Sequence, residues 1–382
     1  MTGIDDRALE RLRALPAVQA LAGEPGVWVV GGAVRDALLG RAFVDADFVV
    51  EGDAVALARR LGEVTEAHER FGTASVGGFD LASARTESYP APGALPDVVL
   101  GASVQGDLAR RDFTVNAIAV RLADFTTVAW PGAFEDLADG VLRVLHPGSF
   151  ADDPTRLLRL VRYASRLEFS VDDDTAELAG AAVAGGALRT VSASRLGAEL
   201  RLLLREPQPA ALQWLGAMGL GDVIAGAIVD GGRVARTVGL ADGGRVDLAA
   251  LACCVGAVDA AVLAARLDEL EFPAAERDLV VSASRGVADV GALRTAPASV
   301  VWRTLRGVSL EALAVAGDPL VLERWASVSG AVLDIDGNDL VAAGLSGPPV
   351  GAGLEAAMVA LLDGEAPDRD AQLRVALAEA RA

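Results

Sequence analysis

The sequence contains no lysine, so all 34 of its basic residues are arginines. They are outnumbered by 53 acidic residues, and the formal net charge at pH 7 is −19. Such a balance argues against general nucleic-acid binding, because attraction to phosphate supplies most non-specific affinity. Eight arginines are nevertheless grouped in one stretch, at Arg156, Arg159, Arg162, Arg166, Arg189, Arg195, Arg201 and Arg205. If the protein binds RNA, we expect residues 156–205 to take part.

Cysteine and histidine are almost as scarce. The two cysteines, Cys253 and Cys254, are neighbours in an apolar run, which excludes a disulfide framework and favours reduced thiols in a cytoplasmic protein. The two histidines, His68 and His146, are far apart, which argues against a histidine-rich metal centre. Uncharged runs are too short for a membrane span, and the N-terminus lacks a signal-peptide pattern. We therefore expect a cytoplasmic location without membrane attachment, and nothing in the sequence implies a protein partner.

The chain, 382 residues and 52% hydrophobic, is long enough for several modules. Helix and strand patterns alternate at first: a helix over 5–22, strands at 27–30, 43–50 and 74–84, helices after residues 32 and 52, and another helix beginning near residue 107. From about residue 150 onward, the patterns are helical. The predicted fold class is α+β, with an α/β head followed by a long helical region.

Two aspartates interrupt an apolar segment, VDADFVV. In a strand, Asp45 and Asp47 project from the same face, and carboxylates that close repel each other unless a cation lies between them. Oxygen ligands suit Mg²⁺, which leaves room for water and substrate phosphate. The alternative is a solvated strand edge. Asp80, on a third strand, is either a further ligand of the same metal or an edge residue.

A glycine pair precedes these aspartates. Gly31 and Gly32 follow a strand and begin a helix, so backbone N–H groups could approach a triphosphate closely. Arg35, one turn into the helix, could form a bidentate contact with phosphate. Its alternative role is an ion pair with Asp36.

These residues resemble a known family. GGAVRDALLGR followed by DAD is similar to the first motif of the class II tRNA nucleotidyltransferases, the group of CCA-adding, A-adding and bacterial poly(A) polymerase enzymes. Further motifs follow in order: ARTESY (84–89), DLARRDFTVNAIA (107–119), DDPTRLLRLVRYASRLEF (152–169), SASRLGAEL (192–200) and LDIDGNDLVAAGLSGPPVG (333–351). The resemblance implies a head (1–140), a neck (141–205), a body (206–330) and a tail (331–382).

The implied activity is template-independent addition of CCA, or part of it, to tRNA 3′ ends from CTP and ATP. Pyrophosphate leaves, and two metal ions assist the reaction. An intact base-recognition pair favours complete CCA addition. Addition of the terminal A alone is the nearest alternative, and poly(A) synthesis is less well supported by the acidic C-terminal half. A nucleotide-binding regulator without catalysis is the alternative of a different class.

By the same resemblance, Asp153 and Arg156 select the base. Cytosine and adenine each present an amino donor beside an unprotonated ring nitrogen, which a carboxylate and a guanidinium can recognise. The two residues are predicted to be neighbours on one helix, where the alternative is a surface ion pair. The remaining candidates share a predicted contact with nucleotide or RNA. They are Arg110 and Arg111 for triphosphate or ribose, Asp112 and Asn116 as supports, Arg159 and Arg162 for phosphate or else a solvated helix face, and Arg166 and Arg195 for RNA.

Overall fold

The computed structural model describes residues 3–43 and 46–381. The chain divides into two compact units, which are considered separately below. The first unit runs through Val223 and includes Glu269–Glu271; the second contains Ile224–Asp268 and continues from Phe272. The finer division into head, neck, body and tail stays a prediction.

The first unit contains a seven-stranded mixed sheet with the strand order β3-β4-β5-β2-β1-β8-β9. Strand β2 is parallel to β5, and the other neighbours are antiparallel. Strands β6 and β7 form a separate hairpin, and β10 pairs with β11. The strands are β1 (Val27–Val30), β2 (Asp47–Val50), β3 (Val64–His68), β4 (Thr73–Val76), β5 (Phe79–Ser83), β6 (Arg85–Ser88), β7 (Asp97–Leu100), β8 (Ile118–Arg121), β9 (Thr127–Ala129), β10 (Val141–Leu142) and β11 (Ser170–Val171).

The centre of the sheet is apolar because its strands are nearly continuous hydrophobic runs. All four residues of β1 are buried, as are the last three residues of β2. Strand β2 begins at Asp47, so the predicted strand over 43–50 is shorter than expected. Asp45 lies outside the described residues.

Helices cover the sheet and precede it: α1 (Asp6–Arg13), α2 (Pro16–Leu21), α3 (Gly32–Leu38), α4 (Ala54–Leu61), α5 (Val104–Leu108) and α6 (Ala133–Asp139). The single helix predicted over 5–22 was wrong. Leu15 is extended, with φ −68° and ψ 128°, and Pro16 starts a second helix. A residue before proline avoids helical geometry, and this breaks the pattern in two.

The rest of the first unit is helical apart from the short strands β10 and β11. Its helices are α7 (Ser149–Asp152), α8 (Arg156–Leu167), α9 (Asp173–Ala184), α10 (Ala193–Leu204) and α11 (Ala210–Ala217). Helix α8 is buried along most of its length because apolar residues recur on several of its faces. It packs against α10 and α11.

The second unit is built from helices in the residues described. They are α12 (Gly231–Leu240), α13 (Val246–Cys254), α14 (Ala260–Glu269), α15 (Ala274–Ser284), α16 (Ala298–Leu305), α17 (Leu310–Ala316), α18 (Pro319–Ser329), α19 (Gly337–Ala342), α20 (Pro348–Leu362) and α21 (Arg369–Ala380). The predicted α+β class, with strands confined to the N-terminal part, is confirmed. Across 3–43 and 46–381, no helix combines the length and apolar character that crossing a membrane requires.

Candidate active-site cleft

A cleft of about 410 Å³ opens on one face of the head sheet. The residues that line it come from five neighbouring strands, β3, β4, β5, β2 and β1, and from the segment after α5. Its polar lining consists of Asp47, Glu66, His68, Thr73, Ser75, Asp80, Arg110 and Arg111. The cleft therefore brings two predicted metal ligands, Asp47 and Asp80, together with two predicted phosphate contacts, Arg110 and Arg111.

The pairing of β2 with β5 brings two aspartates together on one side of the cleft. Asp47 on β2 and Asp80 on β5 are direct Cα partners, and both side chains are exposed. Directly paired residues project from the same face of a sheet, so their carboxylates can share one cation. Asp80 also accepts a hydrogen bond from the Ser75 hydroxyl.

Oxygen donors placed in this way suit a hard divalent ion such as Mg²⁺. Within the described parts of the chain, no group of three or more His, Cys, Asp or Glu side chains is arranged around a common metal position. Because Asp45 is outside those parts, the ligand roles of Asp45, Asp47 and Asp80 stay predictions.

Gly31 has a structural reason to be glycine. Its φ is +67°, and a Cβ placed there would lie 2.8 Å from the Arg111 guanidinium nitrogen Nη1. Its own N–H donates to the Ile118 carbonyl at 3.2 Å. That N–H is therefore used within the fold, and nucleotide binding at Gly31 stays a prediction that rests on its close backbone approach. Gly32, the first residue of α3, stays a predicted contact.

Arg35 forms the ion pair that was its alternative role. It is 2% exposed, and its Nε donates to Asp36 Oδ1 at 2.9 Å. Its Nη2 donates to the other oxygen of Asp36 at 3.0 Å, and Nη1 donates to Asn116 Oδ1 at 2.6 Å. Burial and these partners direct the guanidinium into the protein, which contradicts the predicted bidentate phosphate contact.

Asp112 and Asn116 brace the site. Asn116 donates from Nδ2 to Asp112 Oδ1 at 3.0 Å, and Arg159 donates to Asp112 Oδ2 through Nε and Nη2, at 2.8 and 2.6 Å. Burial alone would raise the pKa of Asp112. The Arg159 charge, these hydrogen bonds and the Phe113 amide outweigh burial and bring the pKa down to about 2. Asp112 is thus a permanent anion that fixes Arg159.

Arg110 and Arg111 lie at the other side of the cleft, and both contact Asp107, whose side chain is fully buried. Arg110 also pairs with Glu87 at 3.1 Å. The same carboxylate accepts from Arg85 and, through Oε2, from the Tyr89 hydroxyl. Burial, followed by the nearby charge of Glu87, raises the pKa of Tyr89 to about 12, so the phenol remains a donor. The two arginines are positioned and restrained before any substrate binds.

The predicted base-recognition pair is arranged differently from expectation. Asp153 is extended, with φ −132° and ψ 94°, and connects α7 to α8, whereas Arg156 begins α8. The prediction of two neighbours on one helix was therefore wrong. Asp153 pairs instead with Arg195, from Oδ1 to Nη2, at 2.8 Å.

Arg156 is 4% exposed and contacts the head directly. Its Nη2 donates to the Arg110 carbonyl at 2.8 Å, and its Nη1 donates to Ser149 Oγ at 2.7 Å. It is no surface ion-pair partner. Because Arg110 lines the cleft, Arg156 lies beside the candidate active site.

Arg159 and Arg162 share a carboxylate that the sequence reading did not single out. Glu199 on α10 pairs with Arg159 Nη1 at 3.2 Å and with Arg162 Nη1 at 3.3 Å. Both guanidiniums, and that of Arg35, also lie over the ring of Tyr163. Neither arginine lines a solvated helix face, which was the alternative, and both are oriented by partners within the first unit.

The two predicted RNA contacts differ in exposure. The Arg166 side chain is 46% exposed, with Asp36 3.9 Å away, and remains accessible to a ligand. The Arg195 side chain is 26% exposed and is held by Asp153 and by the Gly93 carbonyl at 2.9 Å. Arg195 therefore orients a site residue, and an RNA contact would have to displace one of these partners.

Other participants, Asp107, Tyr163 and Glu199, lie inside the motifs named above. Their position inside those motifs could have marked them as candidates, but the sequence alone does not identify the residues that they contact.

Known proteins resemble both the part of the chain that forms the cleft and the fold as a whole. Residues 27–143 match the family described as "Poly A polymerase head domain". The A-adding tRNA nucleotidyltransferase of Aquifex aeolicus is 47% identical over 190 residues, which cover 47% of this chain and 23% of that protein. The CC-adding tRNA nucleotidyltransferase of Deinococcus radiodurans is 39% identical over 213 residues, or 52% of this chain and 55% of that protein. The chain thus matches between about a quarter and about half of the length of such curated relatives.

Solved structures resemble the chain over nearly its whole length. A CCA-adding enzyme in apo form II has a TM-score of 0.81 at 28% identity, with coverage of 98% of this chain and 96% of that one. The Thermotoga maritima CCA-adding enzyme complexed with tRNA has a TM-score of 0.77 at 27% identity, with coverage of 99% and 96%. Residues 27–143 thus carry a poly A polymerase head domain, and the resemblance to the class II tRNA nucleotidyltransferases expected from the motifs is confirmed by these relatives and structures.

Proposed function

We propose that the protein adds nucleotides to tRNA 3′ ends from CTP and ATP, without a nucleic-acid template and with release of pyrophosphate. One observation carries the proposal: Asp47, Asp80, Arg110 and Arg111 line one cleft, and Arg156 contacts the backbone of Arg110. Carboxylates for metal, guanidiniums for phosphate and a candidate base-recognition residue are thereby adjacent. The proposed compartment is the cytoplasm, consistent with the buried free thiols of Cys253 and Cys254.

The proposed roles in the cleft follow from charge. Asp47, with Asp45 and in a supporting position Asp80, would hold Mg²⁺, which neutralises phosphate charge and activates the attacking 3′-hydroxyl when bound. Arg110 and Arg111 would contact the triphosphate. Transfer of this kind depends chiefly on positioning and electrostatic stabilisation. The restraint of both arginines by Asp107, and of Arg110 also by Glu87, supports that role.

Base selection is proposed for Asp153 and Arg156. The Arg195 contact fixes Asp153 through Oδ1 and directs its carboxylate, and the second oxygen would accept from the amino group of cytosine or adenine. Arg156 has five N–H donors, and its contacts with Ser149 and the Arg110 carbonyl leave some for the ring nitrogen. Uracil and guanine present the opposite pattern and would leave these groups unpaired, which penalises them strongly.

Addition of the terminal A alone is the second candidate. It is favoured by three relatives named A-adding tRNA nucleotidyltransferases, which are 47%, 43% and 42% identical over roughly half of this chain. The neighbouring structures named CCA-adding enzymes favour complete addition. The residues of the cleft are compatible with both.

The test uses three tRNA transcripts, ending before the CCA, after the first C and after the second C, each incubated with one nucleotide. Complete CCA addition predicts incorporation of C into the first two and of A into the third. A-only addition predicts incorporation into the third alone. Poly(A) synthesis predicts long A tracts on unrelated RNA, and a regulator predicts no transfer to any substrate.

The matched variants are Asp47→Ala and Asp139→Ala, the latter an exposed aspartate at the end of α6. Asp47→Ala should abolish transfer while tRNA binding persists, whereas Asp139→Ala should behave as wild type. Transfer at the wild-type rate by Asp47→Ala would overturn the proposal.

A further inference from the structure

Arg41 forms two hydrogen bonds with the C-terminal end of helix α8. It lies between α3 and β2, within the first motif, where it has no assigned role. Its Nη1 donates to the Arg166 carbonyl at 2.9 Å, and its Nη2 donates to the Leu167 carbonyl at 3.0 Å. These are the last two residues of α8, where carbonyls lack helical partners and a positive charge is favourable.

The opposite end of α8 contacts the other side of the site. Arg156, its first residue, donates to the Arg110 carbonyl, and Arg159, one turn later, pairs with Asp112. Twelve helical residues span about 18 Å, so one rigid element extends from the base-recognition candidates to the Arg41 contact. A second contact supports the Arg41 end, since Arg166 lies 3.9 Å from Asp36 and the Arg41 amide donates to the Asp36 carbonyl.

We propose that Arg41 is a positioning residue: its contact with the C-terminus of α8 holds Asp47 in register with the nucleotide-recognition end of that helix. The inference rests on the function proposed above. Arg41 acts through the backbone of α8 and needs no contact with substrate or metal.

A purely stabilising helix cap would have a different consequence. Loss of a cap lowers the stability of the fold but leaves the metal affinity of the folded protein unchanged. Loss of a residue that supports metal ligands typically weakens metal binding by about 10- to 100-fold. Metal affinity therefore separates the two roles.

The experiment measures Mn²⁺ binding by electron paramagnetic resonance, with the full chain and a non-hydrolysable ATP analogue present. Arg41→Ala is expected to weaken Mn²⁺ binding about tenfold and to slow single-turnover addition at saturating nucleotide about tenfold or more. Arg41→Lys retains a charged donor and should recover part of both losses. Arg60→Ala, which removes an exposed arginine paired with Glu24, should change neither.

Wild-type Mn²⁺ affinity in a folded Arg41→Ala protein would overturn the inference, even if its melting temperature falls. Should Arg41→Ala fail to fold, Arg41→Gln, which keeps one amide donor, replaces it and is expected to show the same weakening. Asp47→Ala tests the underlying function in the same assay: wild-type Mn²⁺ binding by that variant would overturn the proposed metal site itself. Loss in Asp47→Ala together with no change in Arg41→Ala would overturn the Arg41 role alone.

Discussion

A methyl group added at Gly197 should destabilise the protein, although helix propensity predicts the reverse. Gly197 lies inside α10, where alanine is normally preferred by about 1 kcal/mol. A Cβ at this position would lie 1.8 Å from the Leu270 carbonyl oxygen and 2.7 Å from its carbon. Ordinary contact begins near 3.4 Å, so the backbone around Leu270 would have to move by about 1.6 Å.

That movement disturbs a contact as well as the packing. Arg201 Nη1 donates to the carbonyls of Leu270 and Glu271, both at 2.8 Å. Overpacking costs about 1–3 kcal/mol, and a lost hydrogen bond to a charged group costs about 1.5–3 kcal/mol. After the gain in helix propensity, we expect Gly197→Ala to lower the free energy of unfolding by about 2–4 kcal/mol.

Gly180 provides the matched control. It is exposed within α9, and a Cβ there would meet no atom within 4 Å. Gly180→Ala should therefore stabilise the protein by about 0.5–1 kcal/mol. Urea denaturation followed by circular dichroism should give shifts of opposite sign for the two variants. A stabilised Gly197→Ala protein would show that the segment at Leu270 moves at little cost and would contradict the predicted clash.

Other predictions concern charge and backbone geometry. Asp112→Asn should lose about 2.5 kcal/mol at pH 7, because a carboxyl whose pKa falls from 3.8 to about 2 stabilises the fold above its ordinary pKa. About half of that difference should be gone by pH 3 in urea titrations, and a difference independent of pH would contradict the assignment. Gly93 has φ +72°, and a Cβ there would lie 2.2 Å from Thr190 Oγ1, so Gly93→Ala should lower the melting temperature. It should also weaken the contact between Arg195 and the Gly93 carbonyl, and Arg195 in turn holds Asp153. An unchanged nucleotide affinity would argue against coupling between the Gly93 loop and Asp153. The salt dependence of tRNA binding contributed by residues 156–205 should be shallow, because only Arg166, Arg189 and Arg205 of that stretch are exposed. We expect a logarithmic slope of about −2, and a steeper response in filter binding between about 50 and 200 mM salt would contradict this.

The sequence was a good guide where hydrophobic runs and glycines determine structure. The strand before Gly31, the helix that follows it and the change to helices near residue 150 all follow from local pattern. Short polar strands such as β3, with sequence VTEAH, were missed because they lack apolar alternation. Strand β3 is stabilised by pairing with β4, and such pairing cannot be read from the local sequence pattern.

The predicted helical position of Asp153 was wrong for a reason that is visible in the sequence. Pro154 follows it directly, and a residue before proline is driven away from helical geometry. The sequence therefore contained the reason why Asp153 precedes α8 and Arg156 begins it. The motif resemblance predicted the pair as a unit but supplied no geometry.

The partners of the arginines could not be predicted from the sequence because they lie far away along the chain. Arg159 pairs with Asp112, 47 positions away, and Arg195 pairs with Asp153, 42 positions away. Any of 53 acidic residues could have been the partner, and only the fold brings particular ones within reach.

These ion pairs and hydrogen bonds determine how much positive charge this acidic protein could offer to the proposed substrates, a triphosphate and an RNA end. Carboxylates and carbonyls within the first unit engage most arginines of residues 156–205, so that stretch presents less positive charge than its composition suggests. In the cleft, Asp47 and Asp80 add negative charge opposite Arg110 and Arg111. A divalent cation would invert the local field on the acidic side, because a bound ion is usually the largest charge in its site. Nucleotide affinity should therefore depend on the metal as strongly as catalysis does, and the same carboxylate pair would control both.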